Sequence, residues 1–196
     1  MPELPDIIVL SRSMDQALAG RRIAGAEVNQ PKCVNLPPDQ FRRRIAGQKI
    51  TGVRPLGKWA LMNCQSGGAL ALNLGMGGQL ILRGPGERAD PQHERVVLHF
   101  AGGEQLWIRF WWFGHLHWMG NGDLSGHPQL GTLGADPLGD DFTADYLGEM
   151  LRGRRGAIKR YLLDQRLIAG IGNVYVQDIL WHARLHPSTP ANSLQA

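Results

Sequence analysis

The chain has 196 residues, 43% of them hydrophobic, and a formal charge of +4 from 21 basic and 17 acidic side chains. That is an ordinary globular composition, long enough for one large domain or two small ones. It has no apolar run of the roughly 20 residues that span a bilayer, and no basic-then-apolar opening of the signal-peptide type, so cytoplasmic residence is expected.

Residues 6–19 read as an amphipathic helix. Ile7, Leu10, Met14 and Leu18 recur at helical spacing, Pro5 and Asp6 suit the first turn, and Gly20 suits the end. From about 22 to 120 the signals are short and β-like: Lys49–Val53, Trp59–Cys64, Ala69–Leu74, Gln79–Leu82, Arg95–Phe100 and Gln105–Phe110, separated by turn residues. Strands at this spacing point to a sandwich or barrel. Beyond a Gly- and Pro-rich stretch at 120–139 the pattern turns helical, at roughly 143–152, 156–166 and 173–183. Strands followed by helices in separate blocks predict an α+β protein of two domains, 1–135 and 136–196. The final residues from His186 read as a linker toward a further helix, with Asn192 or Ser193 as its cap.

The metal-binding side chains are sparse. Cys33 and Cys64 stand alone, with no Cys-x-x-Cys pair. Neither a disulfide framework nor a zinc site is supported. His115 and His117 fall on one face of a strand-like segment, but two ligands do not close a zinc site.

The most informative segment is 158–173, Ile-Lys-Arg-Tyr-Leu-Leu-Asp-Gln-Arg-Leu-Ile-Ala-Gly-Ile-Gly-Asn. It reads as a helix end, a turn that Gly170 and Gly172 permit, and a new helix start at Asn173. A helix start favours an anion, and Lys159, fourteen residues before Asn173, can add a positive charge. Residues 152–166 hold six basic side chains against the single acid Asp164. Such a run is either a solvated helix face or a nucleic-acid contact, and the adjoining glycine turn favours the second. A pI near 9.4 permits a polyanionic partner without requiring one.

At the other end, removal of Met1 would leave Pro2 as a terminal secondary amine. Attack of that amine on an aldehyde-like sugar carbon gives an iminium ion, and Glu3 beside it can move protons. Met-Pro-Glu alone would equally be an ordinary extended terminus.

Five motifs in order carry a resemblance: Met-Pro-Glu-Leu-Pro-Asp, Leu56-Gly-Lys-Trp59, Asn73-Leu-Gly-Met-Gly-Gly78, Leu133-Gly-Ala-Asp-Pro-Leu138 and the 158–187 block. Together, over essentially the whole chain, they resemble the formamidopyrimidine-DNA glycosylase/endonuclease VIII family. The resemblance implies a β-sandwich domain with an N-terminal helix, followed by a helix–two-turn–helix domain. It further implies excision of oxidised bases from double-stranded DNA and β,δ-elimination at the abasic site. Pro2 matches the nucleophile, Glu3 the general acid/base, and Lys58 a lysine on a β-hairpin that contacts phosphate near the lesion. Lys159 and Asn173 match the pair that grips the phosphates of the damaged nucleotide. Gly172 and Arg54 are counted with the DNA-binding positions. Met76 matches a wedge that fills the space of the extruded base, its alternative being a core methionine, and Phe113 matches a second wedge.

The resemblance also breaks in places. The purine-lesion branch usually has Asp-Pro-Arg-Arg-Phe-Gly where this chain reads Arg109-Phe-Trp-Trp-Phe-Gly114. Trp112 therefore stands where an arginine pairs with the orphaned base, and either stacks there with weakened opposite-base preference or turns into the core. Asn73 replaces a common histidine, Ile8 a common glutamate, and Asp6 a glutamate. The family's two further helices, lesion-capping loop and four-cysteine zinc ribbon have no counterpart within the 196 residues. No metal or other cofactor is thus expected in this chain, which reads as a fragment or a reduced member. A monomer is expected, with no membrane association. The alternatives are an oxidised-pyrimidine glycosylase, or a non-catalytic nucleic-acid binder of the kind that uses a Gly-Ile-Gly turn only to hold RNA.

Overall fold

The computed structural model describes residues 1–194, which form two compact units. The first comprises residues 1–55 and 59–123; the second comprises the short segment Leu56–Lys58 and the chain from Leu124 onward.

The first unit opens with α1 (Leu4–Leu18), two residues earlier than the periodicity predicts. Pro5 fits the first turn because its missing N–H would have no helical partner there. Leu4, Ile7, Ser11, Met14 and Leu18 form the buried stripe. Two four-stranded sheets then make an α+β sandwich. One has the order β1 (Ile23–Val28), β6 (Glu94–Phe100), β7 (Gln105–Arg109), β5 (Gln79–Arg83). The other has the order β2 (Ile50–Leu56), β3 (Trp59–Cys64), β4 (Ala69–Asn73), β8 (His115–Met119). The inner strand β4 is buried at every position, as an Ala-Leu-Ala-Leu run enclosed on both faces requires. Edge strand β5 is only partly covered.

Two elements of this unit depart from the sequence expectation. β1 lies in a stretch of Gly, Ala and Glu with weak strand character, and exists through its antiparallel pairing with β6. Helix α2 (Pro38–Ile45) interrupts the β-like region. It has two apolar anchors, Phe41 and Ile45, one turn apart and fully buried. That is too short a periodic signal to read, although Pro38 in the first turn and Arg42–Arg44 in the last suit the two helix ends.

The second unit packs α3 (Ala144–Leu151), α4 (Ile158–Leu162) and α5 (Tyr175–His182) around Leu151, Ile158, Leu162, Ile168, Ile171, Val176 and Leu180. Thr143 caps α3, its hydroxyl accepting from the Tyr146 N–H at 3.1 Å. Helix α4 is less than half the expected length. The Asp164 carboxylate accepts the Arg166 N–H at 3.0 Å, and this local turn ends the helix. The tail also departs from expectation. Instead of a linker, residues 187–190 run against the start of α4, with Ile158 N–H donating to Thr189 O at 2.8 Å, and Ala191 is buried. Asn192 and Ser193 belong to a single 3-10 turn. No helix among the described residues is long and apolar enough to cross a membrane.

Candidate catalytic terminus and DNA interface

In the first unit, Pro2 is half-buried and Glu3 is 3% exposed, directly ahead of α1. The Asp6 carboxylate accepts the Glu3 N–H at 2.9 Å, one half of a reciprocal capping box whose other half joins the Asp6 N–H to the Glu3 side chain. Asp6, one methylene shorter than the glutamate usual in the family, thus fixes the backbone that carries Glu3. A buried carboxylate on the residue after a terminal proline is of the type that transfers protons in amine catalysis. The nitrogen itself becomes nucleophilic only when Met1 no longer acylates it.

Met76, Trp112 and Phe113 are brought together by two interlocked turns. Met76 N–H donates to Trp112 O at 2.9 Å, and Asn73 Oδ1 accepts the Gly75 N–H at 2.8 Å. A Cβ on Gly75 would lie 1.9 Å from Trp112 O, so only glycine allows the approach. Phe113 holds a left-handed φ of 57°, uncommon for a bulky residue and associated with functional turns. Met76 is 46% exposed and Trp112 64%, so neither joins the core. Trp111, which the motif comparison passes over, is 67% exposed and Phe113 69%. Below this turn Trp59, His115 and His117 form a ring cluster, with His115 and His117 centroids 5.0 Å apart. Burial lowers the His115 pKa from its ordinary value.

The second unit holds Lys58, Lys159, Gly172 and Asn173. Gly57, at φ 55°, turns the β2–β3 hairpin, and a Cβ there would meet the Ala169 Cβ at 3.3 Å and the Gly170 N at 3.5 Å. The hairpin tip that carries Lys58 therefore lies against the Gly170 turn. Gly170 has a φ of 96°, which only glycine adopts freely. Gly172 is buried; Asn173 is exposed and precedes α5 by two residues, so the helix starts slightly later than predicted. Lys159 lies in α4, half-buried; Arg54, on β2 in the first unit, is exposed. The turn rests on two supports, Gln165, which sequence reasoning missed, and the Leu133–Asp136 motif, to which it gave no structural role. Gln165 ties it by its side-chain amide, donating to Leu163 O at 3.0 Å and Ile171 O at 2.7 Å while accepting the Gly170 N–H at 2.9 Å. The Leu133–Asp136 motif supplies the second, through Ala169 N–H to Ala135 O at 2.8 Å and Ala135 N–H to Leu167 O at 3.1 Å. Gly134 is needed because a Cβ would sit 2.3 Å from the Leu167 backbone.

Residues 1–110 match the formamidopyrimidine-DNA glycosylase N-terminal domain, and residues 133–196 match the formamidopyrimidine-DNA glycosylase H2TH domain. The chain belongs to this family. It is 40% identical to the formamidopyrimidine-DNA glycosylase of Chloroflexus aurantiacus, over 99% of this chain and 69% of that protein. Against the enzyme of Cereibacter sphaeroides the identity is 37%, over 99% and 71%. Two solved structures of the Lactococcus lactis glycosylase superpose with a TM-score of 0.90 at 28% identity. One is bound to DNA containing an abasic site and covers 98% of this chain and 73% of that one. The other is bound to DNA containing an oxidised pyrimidine and covers 99% and 73%.

Among the described residues no three His, Cys, Asp or Glu side chains converge on a common point. Cys33 and Cys64 are buried as single thiols, and burial pushes the Cys64 pKa up to about 11.

Proposed function

We propose that this chain is a base-excision repair glycosylase that removes oxidised bases, formamidopyrimidine and 8-oxoguanine-type purines foremost, and then cleaves the abasic strand. The observation that carries the reading is the buried Glu3 carboxylate, on the residue that follows Pro2 and fixed by the capping box of α1, in a chain of this family. With Met1 removed, the Pro2 amine attacks C1′ of the damaged nucleotide. The N–C1′ bond forms, the glycosidic bond breaks, and the base leaves with a proton. Glu3 protonates the sugar ring oxygen, opening the ring to the iminium ion. The iminium acidifies the C2′ proton; its loss expels the 3′-phosphate, and a further elimination expels the 5′-phosphate. Lys58, Lys159 and Asn173 hold strand phosphates, with Gly172 and Arg54 contributing to the backbone contact. Such contacts set register without reading sequence. Met76 and Phe113 occupy the space of the extruded base, offsetting an unstacking cost of a few kcal/mol.

The leading alternative substrate is an oxidised pyrimidine, favoured by the Lactococcus lactis structure that holds one. A chain that retains Met1 would instead bind damaged DNA without cutting it, because an acylated nitrogen is not a nucleophile.

Borohydride reduction of the mixture of Met1-free protein and abasic-site duplex tests the proposal. The expected result is a covalent protein–DNA band that Pro2→Gly largely abolishes. Absence of the band, with removal of Met1 verified by intact mass, overturns it.

A further inference from the structure

We propose that the end of the sandwich remote from the aromatic turn is a second DNA-binding surface, where Arg22, Arg43, Arg44 and Lys49 hold the phosphate backbone of a separate duplex segment. The proposal goes beyond the repair reading above and stands on the first unit alone.

The ends of α1 and α2 and the starts of β1 and β2 meet at this end. Gly20 N–H donates to Ile50 O at 2.8 Å, Ile23 N–H donates to Gln48 O at 2.8 Å, and Gly47 N–H returns to Ile23 O at 2.8 Å. Arg22 and Lys49 face each other in an antiparallel bridge. One backbone framework therefore carries Arg22, Arg43, Arg44 and Lys49, and all four are exposed. In α2 the buried anchors are Phe41 and Ile45, so Arg43 lies on the opposite face of the helix, with Arg44 one position further on. Ala101 N–H donates to Arg22 O at 2.9 Å, which places the cluster where β6 ends and β7 begins. The aromatic turn follows Arg109, where β7 ends, roughly 15 Å of strand away. The two ends of the sandwich thus carry different surfaces, one aromatic and one basic.

The four cations are uncompensated. The acids nearby are engaged elsewhere: Asp39 accepts from Arg42 at 2.5 Å, Glu104 pairs with Arg21 at 2.5 Å, and Glu27 lies 2.9 Å from His99. Arg22, Arg43, Arg44 and Lys49 form no ion pair with any described residue. Arg22 gives one donor to Gly47 O at 2.6 Å, which leaves the rest of its guanidinium fork open. Like charges gathered in this way repel one another, and a polyanion relieves that repulsion. A double helix carries about one negative charge per 1.7 Å of axis, so it meets several of these cations at once where a small anion meets one or two. Three of the four are arginines, whose planar fork engages phosphate oxygens in pairs. A lipid surface fits less well, because residues 19–23 and 37–50 expose no large apolar side chain that could enter it. Phosphate contacts carry no base information, so this surface accepts undamaged DNA of any sequence. A segment held there keeps the protein on DNA while the aromatic end is free to engage another.

The test uses the full chain with two short undamaged duplexes, one carrying a donor dye and the other an acceptor. A molecule that holds two segments brings the dyes together, and energy transfer reads it. Transfer should appear at low salt, fall steeply as salt rises, and vanish in excess protein, where each duplex takes its own molecule. Arg43→Gln/Arg44→Gln/Lys49→Gln should cut the transfer by about tenfold or more, with affinity for a duplex containing tetrahydrofuran, an uncleavable abasic analogue, held within about twofold. Arg22 stays in place because its bond to Gly47 O supports the fold. Arg43→Lys/Arg44→Lys preserves the charges and should preserve most of the transfer. No transfer with the native chain, or undiminished transfer in the glutamine variant, overturns the proposal. So does a bridged complex that contains two protein molecules by sedimentation. Binding to phosphatidylserine vesicles that the glutamine variant loses, without DNA bridging, assigns the cations to a membrane and overturns it too. Borohydride trapping on abasic DNA, run in parallel, separates the two claims. Trapping without bridging removes the second surface only, and bridging without trapping removes the enzyme only.

Discussion

The side-chain amide of Gln165 accepts the Gly170 N–H at 2.9 Å, so one side chain holds the left-handed glycine around which the proposed phosphate grip is built. The same amide donates to Ile171 O at 2.7 Å, on the far side of that glycine. Gln165→Ala removes both partners from backbone groups in a buried turn. It should cost about 1–3 kcal/mol in chemical denaturation. Affinity for abasic-analogue DNA should fall as well, because Lys58 and Asn173 are positioned by the turn. Gln165→Glu keeps the acceptor for Gly170 and loses the donor to Ile171, so it should fall between the two. Equal stability of all three proteins would remove Gln165 from this role.

Gly75 faces a harder constraint. Its φ is 60°, and a Cβ would sit 1.9 Å from Trp112 O and 2.7 Å from Gly114 N, all backbone positions with no flexible end to yield. Gly75→Ala should therefore destabilise by about 2 kcal/mol or more, read from the urea midpoint. Gly20→Ala is the control for glycine conformation alone. It has a similar positive φ and open space around it, so its cost should be smaller.

These two glycines also mark what a sequence can and cannot say. The fold class was legible because β3 and β4 are short apolar runs bounded by turn residues, and because Ile7, Met14 and Leu18, all buried, recur at helical spacing in α1. Helix α2 was not, since two anchors one turn apart do not make a period. The shortened α4 depends on the Asp164 carboxylate accepting the Arg166 N–H two residues ahead, a local competition that hydrophobic periodicity does not register. Of the candidate site, the motif positions were named from the sequence, but their supports were not. Gln165 has no patterned signature, because its partners are backbone groups that meet only once the turn exists. The exposure of Trp112 was likewise unreadable, since a tryptophan among aromatics after a buried strand fits a core equally well.

The Asp164 carboxyl is held down to about 2, chiefly by its hydrogen bond from the Arg166 side chain. An unfolded aspartate titrates near 3.9. The folded state thus binds the proton less tightly, and the pair's stabilisation is complete above about pH 4 and lost as pH falls through about 2. Arg166→Ala should lower the urea midpoint by a constant, small amount from pH 5 to 8, because the pair is largely exposed and screened by salt. The gap between the two proteins should close as pH approaches 2. A gap that persists at pH 2 would assign the effect of Arg166 to packing rather than to charge.

The capping role of Glu3 and its proposed acid role are separable by one substitution. Its carboxylate closes the capping box of α1, on the residue that follows the proposed nucleophile. Glu3→Gln retains an acceptor oxygen for the Asp6 N–H and nearly the same volume, so melting temperature should change little. It removes the titratable proton, and general acid/base contributions of this kind are worth about 10²–10⁴-fold in rate. Base release from a lesion duplex needs that proton while the sugar ring opens. A preformed abasic site spends much of its ring-opening before the amine attacks. Single-turnover base release should therefore fall by about that factor, with strand cleavage at preformed abasic sites falling far less. Equal losses in both reactions, or a lowered melting temperature that accounts for them, would leave Glu3 as a helix cap and move the acid role to another residue.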